Sequence, residues 1–210
     1  MVMTVESDDS VVACWSCHGP VAAVALFCHT CGAVQPPRGQ DHFARLGLAK
    51  GFDIDAAELD RRYFALQRNL HPDRFARRSA RERALAESQS ATLNQGYETL
   101  KDPLRRAGYL LELAGRRSAA VHAATVEDEE LLTEAMENRE ALMEAEDSAA
   151  IDELGSRAAA AAVRCLADLS RAFAQDDLAA ADRLTTRLRY WRKLGEEVRG
   201  KRRLIEERAR

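Results

Sequence analysis

Four of the five cysteines stand as two pairs, Cys14-Trp15-Ser16-Cys17 and Cys28-His29-Thr30-Cys31, with ten residues between the pairs. A two-residue spacer lets two thiolates converge on one side of a metal ion, and two such knuckles complete a tetrahedron of the kind Zn²⁺ takes with sulfurs at about 2.3 Å. In a reducing compartment this pattern reads as metal before disulfide. One zinc ion held by Cys14, Cys17, Cys28 and Cys31 is therefore expected, with an iron-bearing, rubredoxin-like site as the alternative because the ligand set would be the same. Gly32 allows backbone N–H groups to turn toward the sulfurs of the second knuckle, whereas His18 stands where the first might have had glycine. His18 and His29 are read as loop or outer groups, since four thiolates fill a closed site, and Cys165 as plain core. The second chemistry-bearing stretch is Leu70-His71-Pro72-Asp73-Arg74. His71 and Asp73 have the side chains of an acid–base pair, but no nucleophile motif, phosphate-cradling glycine loop or open metal position accompanies them, so an enzyme is not expected.

The elements that hold this loop read as helices. Asp55 and Glu58 form a carboxylate version of the capping box, and Leu59, Tyr63, Leu66 and Leu70 then recur at helical spacing. Pro72 ends that helix, because proline fixes φ, lacks an N–H and pushes His71 out of the α region. A second helix is expected from Ala80 to Leu100, with Leu85, Leu93, Tyr97 and Leu100 inward, antiparallel to the first. A short helix around Phe43 to Leu48 precedes the pair, and one from Pro103 to near Gly115 follows it. Between positions 61 and 83 stand eight arginines, at 61, 62, 68, 74, 77, 78, 81 and 83, against Asp73 and Glu82. With Arg61, Arg62 and Arg68 on the exposed face of the first helix, such a patch seeks an acidic partner. Arg77, Arg78, Arg81 and Arg83 are read as solvated charge.

The segments Asp41-His42-Phe43-Ala44-Arg45-Leu46-Gly47-Leu48, Arg62-Tyr63-Phe64-Ala65-Leu66-Gln67, His71-Pro72-Asp73 and Asn94-Gln95-Gly96-Tyr97-Glu98-Thr99-Leu100 resemble the helical signatures of a J domain. More narrowly, Gln89-Ser90-Ala91-Thr92-Leu93-Asn94, Arg106-Ala107-Gly108-Tyr109-Leu110-Leu111 and Leu188-Arg189-Tyr190 resemble the HscB-type co-chaperones of iron-sulfur cluster assembly, across nearly the whole chain. Some of these proteins carry a four-cysteine amino-terminal domain. The resemblance implies a co-chaperone that stimulates ATP hydrolysis by a DnaK-class chaperone and delivers to it the scaffold protein on which a cluster is built. It implies that His71 and Pro72 hold the loop rigid, that Asp73 is presented to the chaperone, and that Arg61, Arg62, Arg68 and Arg74 supply docking charge. His42 departs from the J pattern, in which an aromatic often stands there.

Beyond a loop near Arg116 to Thr125, helices are expected over Glu127 to Ala145, Ala149 to Ala174 and Leu178 to Glu207. Their apolar spacings are Leu132/Met136/Met143, Ile151/Leu154/Cys165/Leu169/Phe173 and Leu184/Leu188/Trp191/Leu194, which suit an antiparallel three-helix bundle with close contact at Ala158 to Ala162. By the same resemblance, scaffold binding falls on Leu132, Thr133, Met136, Glu137 and Glu140, joined by Tyr190; Thr133 replaces a larger apolar residue often found there. Read from spacing alone, Leu132 and Met136 are core positions.

With 210 residues, 46% hydrophobic, the chain is long enough for one or two domains, and the expected class is mainly α. Three segments are expected: a metal-binding module and linker over 1–38, a four-helix J-like domain over 39–117, and the three-helix bundle over 118–210. A module of this size is too small to fold on apolar burial alone, so the metal should supply its stability, and Gln35-Pro36-Pro37-Arg38-Gly39 reads as a stiff linker. A net charge of -3 argues against wholesale nucleic-acid binding, but charge is segregated: residues 127 to 147 carry ten acids and one base, Arg139. Two oppositely charged surfaces imply two partners. No apolar run is long enough for a membrane helix, and Met1 to Ser10 carries three acids and no positive region, so the expected address is the cytoplasm, or the mitochondrial matrix if a presequence has been removed. The alternatives are a general J-domain protein for unfolded clients, or a zinc-stabilised protein or nucleic-acid interaction module; the amino-terminal module offers a possible homodimer contact.

Overall fold

A computed structural model of the chain describes residues 10–116 and 128–208. The start Met1 to Ser10, apart from Ser10, and the loop from Arg116 to Thr125, apart from Arg116, lie outside the described residues, as does Glu127. Two compact units emerge, one over residues up to Lys50 with Ile54–Lys101, the other from Gly51–Asp53 and the residues from Asp102 onward.

The first unit begins with a two-stranded antiparallel hairpin, β1 (Val11–Ala13) and β2 (Pro20–Ala22), in the register Val11↔Ala22, Val12↔Val21 and Ala13↔Pro20. Its tip is the first cysteine knuckle. A bridge between Phe27 and Val34 closes the second. One small buried cluster of this module is Cys14, Val21, Cys28 and Ala33, with Val12, Trp15 and Ala25 packed against it.

Helices α1 (His42–Leu46), α2 (Ala56–Leu70), α3 (Pro72–Phe75) and α4 (Ala80–Lys101) follow. Asp41 caps α1 by accepting the Ala44 amide at 2.8 Å. Asp55 caps α2, accepting from Ala57 and Glu58 amides at 2.8 and 3.3 Å. The reciprocal half of the expected capping box is not made. Glu58 turns outward instead to Arg61 and Arg62, because two guanidiniums one turn away are better donors than a single amide. Helices α2 and α4 run antiparallel, as the cross-links Asp60–Tyr97 at 2.9 Å, Tyr63–Asn94 at 3.0 Å and Gln67–Ser90 at 3.0 Å demonstrate by their opposite order. Tyr63 and Tyr97 stack with ring centroids 3.9 Å apart. Phe43, Leu46, Leu59, Leu70, Leu93 and Leu100 fill the core. A Cβ at Gly96 would lie 3.2 Å from the His42 ring, so glycine is what lets α1 approach α4 with an imidazole at position 42. Burial holds that imidazole below its usual pKa, with the Arg45 charge adding to the effect.

The second unit contains α5 (Pro103–Leu113), α6 (Glu129–Glu144), α7 (Ser148–Ala174) and α8 (Leu178–Arg208). Helices α7 and α8 form the principal hairpin, turning through Asp176 at φ 56°. Ile151, Leu154, Ala158, Ala161, Cys165, Leu169 and Ala172 face inward from α7, and Ala181, Leu188, Trp191, Leu194 and Val198 are buried along α8. Phe173 stacks on Phe52, centroids 5.3 Å apart. Helix α6 departs from the expected packing: Leu132, Met136 and Met143 are exposed, and the buried stripe is Leu131, Asn138 and Ala145. Polar groups hold this helix in place. Arg187 of α8 reaches Asp128, Glu130 and Glu134 at 3.3, 3.0 and 2.9 Å, Arg157 of α7 donates to Asn138 at 3.2 Å, and Lys201 donates to the Leu142 and Met143 carbonyls at its carboxyl end.

Helix α5 packs on α8, where Arg192 grips Asp102 through two hydrogen bonds of 2.9 and 2.8 Å. Asp102 also caps α5, accepting from Leu104 and Arg105 at 2.8 and 3.0 Å. Burial pushes this carboxyl up, but Arg192 and the helix amides outweigh it and leave it below its ordinary value of 3.8. A group that ionises more readily folded than unfolded contributes stability that is full above its unfolded value and fades as pH falls through the lower folded value. Asp102→Asn keeps the cap but loses the ion pair. The melting-temperature gap between the native chain and this variant is expected to be full well above the ordinary value of 3.8 and to close as pH falls below it; a gap that stays constant across thermal melts would show that the ion pair does not contribute.

Candidate functional site

The hairpin places Cys14 and Cys17 opposite Cys28 and Cys31. Each knuckle turns back on itself: the His18 amide donates to the Cys14 carbonyl at 3.0 Å and the Gly32 amide to the Cys28 carbonyl at 2.8 Å. Both turn residues are left-handed, His18 at φ 61° and Gly32 at φ 72°, so the first knuckle pays a small backbone strain that glycine spares the second. The four sulfurs lie within 4.8 Å of one another, with Cys14–Cys31 and Cys17–Cys28 at 3.8 Å. A tetrahedron with metal–sulfur bonds of about 2.3 Å has edges of about 3.8 Å, so the sulfurs stand where a metal ion would need them. The thiols of the cluster differ. Amide hydrogen bonding from Cys17, then from Ser16 and the Gln35 side chain, lowers the Cys14 thiol to about 6 against the opposing effect of burial, whereas Cys17, although the Gly19 amide favours its thiolate, is raised to about 11 by the neighbouring sulfurs and burial.

The loop at 71–73 is built as the spacing predicts, with one addition. His71, at ψ 133°, ends α2, and Pro72 opens α3 at a first-turn position where its missing N–H costs nothing. His71 Nδ1 accepts the Asp73 amide at 3.3 Å and so caps this single turn. The Asp73 carboxylate lies 3.5 Å from the same nitrogen and is 90% exposed.

The arginines divide by role. Arg61 pairs with Glu58 and stays exposed, and Arg68 and Arg74 are exposed. Arg62 is committed to the fold, joining Glu58 to the Gly47 carbonyl at the end of α1. The two guanidiniums, Arg62 before Arg61, hold the Glu58 carboxyl below its usual range. Arg81 is not simply solvated: its guanidinium lies 4.4 Å over the Trp15 ring. Arg78 reaches Glu82 at 3.8 Å, and Arg83 donates to the Arg78 carbonyl at 2.9 Å. Phe64, 57% exposed between Arg61 and Arg68, was not singled out by sequence; its position off the Leu59/Tyr63/Leu66/Leu70 stripe was the available signal.

On α6, Leu132, Thr133, Met136, Glu137 and Glu140 share the side opposite Leu131 and Asn138, with Leu132 47% and Met136 74% exposed. Tyr190 does not join that outward side. It meets α6 at Asn138 on the inner side, half-buried, and burial raises its phenol while Asn138 opposes the shift.

Residues 127–199 match the HSCB C-terminal oligomerisation domain. The human iron-sulfur cluster co-chaperone protein HscB is 36% identical over 190 residues, covering 89% of this chain and 80% of that protein. The chain belongs to the HscB co-chaperone family. A co-chaperone protein HscB homolog from Shewanella sp. (strain ANA-3) is 39% identical over 166 residues, 75% of this chain and 94% of the homolog. The crystal structure of human HscB superposes with a TM-score of 0.79 at 35% identity, covering 90% of this chain and 97% of that one. The segment matched to the HSCB domain takes in α6, α7 and much of α8, and so contains the outward side of α6.

The two sides of α6 make opposite demands on stability. Leu131→Ala is expected to cost about 2–4 kcal/mol, the range for emptying a buried leucine site, and Met136→Ala under about 0.5 kcal/mol, as for an exposed position. Urea unfolding monitored by circular dichroism checks this; equal losses would return Met136 to the core.

Proposed function

We propose that this HscB-family chain is a bridging co-chaperone, which stimulates ATP hydrolysis by a DnaK-class chaperone through the loop at 71–73 and delivers to it an iron-sulfur cluster scaffold protein through α6. The observation that carries this reading is the pairing, in one member of the family, of an exposed Asp73 in a unit that also exposes Arg61, Arg68 and Arg74, with an outward side of α6 that combines exposed Leu132 and Met136 with Glu137 and Glu140. The chemistry is binding. The arginines meet an acidic surface on the chaperone, Asp73 competes there for a basic group, and hydrolysis takes place on the partner. Arg62 contributes by fixing α1 against the helix that bears the other arginines. Leu132 and Met136 supply apolar contact to the scaffold, Thr133, Glu137 and Glu140 supply polar contact, and Tyr190 supports α6 from within. No helix among the described residues is long and apolar enough to cross a membrane. As part of the same proposal, the working compartment is the cytoplasm, or the mitochondrial matrix if a presequence has been removed.

Steady-state ATP hydrolysis by a DnaK-class chaperone, with this chain and the scaffold added singly and together, tests the bridge. Synergy is expected. His71→Gln is expected to abolish stimulation, because the cap on α3 goes with the imidazole, while scaffold binding is unchanged; retained stimulation would remove the loop from the mechanism. The occupant of the four-cysteine site in this reading is zinc, which holds the module together without taking part in any reaction. Elemental analysis is expected to give one zinc per chain and to give none for the double variant Cys14→Ser, Cys28→Ser; iron in its place would overturn that choice.

A further inference from the structure

Gln35, which sequence places in a linker, is almost fully buried, and each of its polar contacts is specific. Its side-chain amide donates to Cys14 Sγ at 3.4 Å and to the Ala33 carbonyl at 2.9 Å. Its backbone carbonyl accepts from Gln89 Nε2 of α4 at 2.8 Å. Gln89 Oε1 in turn accepts from Arg45 Nη1 of α1 at 3.0 Å, and Arg45 Nη2 donates to the Arg38 carbonyl at 2.8 Å. A continuous buried path thus runs from a cysteine of the metal site to the helices packed around the loop. A second contact runs parallel to it. Trp15, adjacent to Cys14, donates to the Val34 carbonyl at 2.7 Å and lies under Arg81 of α4. The second knuckle also borders the loop, since Phe27 and Gly32 line one cleft together with Asn69, Arg74 and Phe75.

We propose that Gln35, Gln89 and Arg45 are positioning residues that couple the metal site to the packing of α1 on α4, so that metal occupancy sets how firmly the chaperone-docking unit is held. Arg45 carries the strongest constraint in this path. A buried guanidinium that loses its acceptors is costly, so the helices tolerate displacement of Gln89 or of the Arg38 carbonyl poorly. Both acceptors are tied to the segment from Ala33 to Arg38, which leaves the second knuckle directly, and thiolates released from the metal no longer hold that segment in place. The coupling is reciprocal: if metal binding steadies Gln89, then Gln89, which touches no thiol, must strengthen metal binding by the same factor. The functional consequence rests on the co-chaperone reading; the coupling does not.

Two measurements on the full chain test it. In the first, Zn²⁺ affinity is read by competition with a chromophoric chelator. Gln35→Leu and Gln89→Leu are each expected to weaken it by about tenfold, the low end for residues supporting a metal ligand, while Val163→Ala, at an exposed position of α7, leaves it unchanged. In the second, hydrogen exchange of the native chain is compared before and after Zn²⁺ is stripped. Exchange in α1 and in α4 around Gln89 is expected to quicken by about tenfold, with α7 and α8 unaltered. Affinities within twofold of native in folded variants, or exchange in α1 and α4 indifferent to Zn²⁺, would overturn the proposal. If Gln89→Leu fails to fold, the exchange experiment decides alone. Neither measurement involves a chaperone, so failure of ATPase stimulation would count against the co-chaperone reading and leave the coupling standing.

Discussion

A pyrrolidine ring at position 72 cannot occupy the interior of a helix, and much of the first unit follows from that prohibition. Helix α2 must stop at Leu70, His71 must be extended, and the chain is released to start again as α3. The same ring that ends one helix is well suited to begin another, because the first turn requires no N–H there. The result is a tight corner from which Asp73 points outward, with Arg74 exposed beside it. The ladder of hydrogen bonds from Asp60 to Ser90 then keeps the two long helices in one register, so the corner is presented from a fixed base.

Helix periodicity carried most of the architecture. The bounds of α2, α4, α5, α7 and α8 lie within about two residues of where spacing and caps put them. The failures are local and share a cause: each is a position where tertiary contacts override a neighbourhood rule. Apolar spacing on α6 pointed to Leu132 and Met136 as core, but that helix is fastened by Arg187, Arg157 and Lys201, whose partners are acids, an amide and carbonyls that a hydrophobic pattern does not register. Gln35 sits before two prolines and reads as linker until Gln89, distant in sequence, supplies a donor. Arg81 reads as solvent-facing until Trp15 comes beneath it.

The metal site was more legible than the surfaces. Two knuckles specify their ligands through local geometry alone, since each closes by a hydrogen bond from the fourth residue after its first cysteine. The left-handed turn at His18 is the place in this site where residue choice and backbone disagree, and it is tolerated because closing the knuckle offsets the strain. Surfaces lack such a local rule. Whether Arg62 is a docking charge or a strut depends on Gly47, fifteen residues earlier, whose carbonyl it holds. Only the fold decides that.

The three carboxylates gathered on Arg187 change what α6 offers to an approaching molecule. Asp128, Glu130 and Glu134 have their charge partly answered from within, whereas Glu137, Glu140 and Glu144 face solvent around Leu132 and Met136. Long-range attraction is thereby concentrated on the side that also carries the apolar contacts. For a basic partner surface, the acids govern how often productive encounters occur, and the leucine and methionine govern how long the encounter lasts. Added salt would then slow association while leaving the lifetime of the complex nearly unchanged, a division of labour between capture and retention along a single helix.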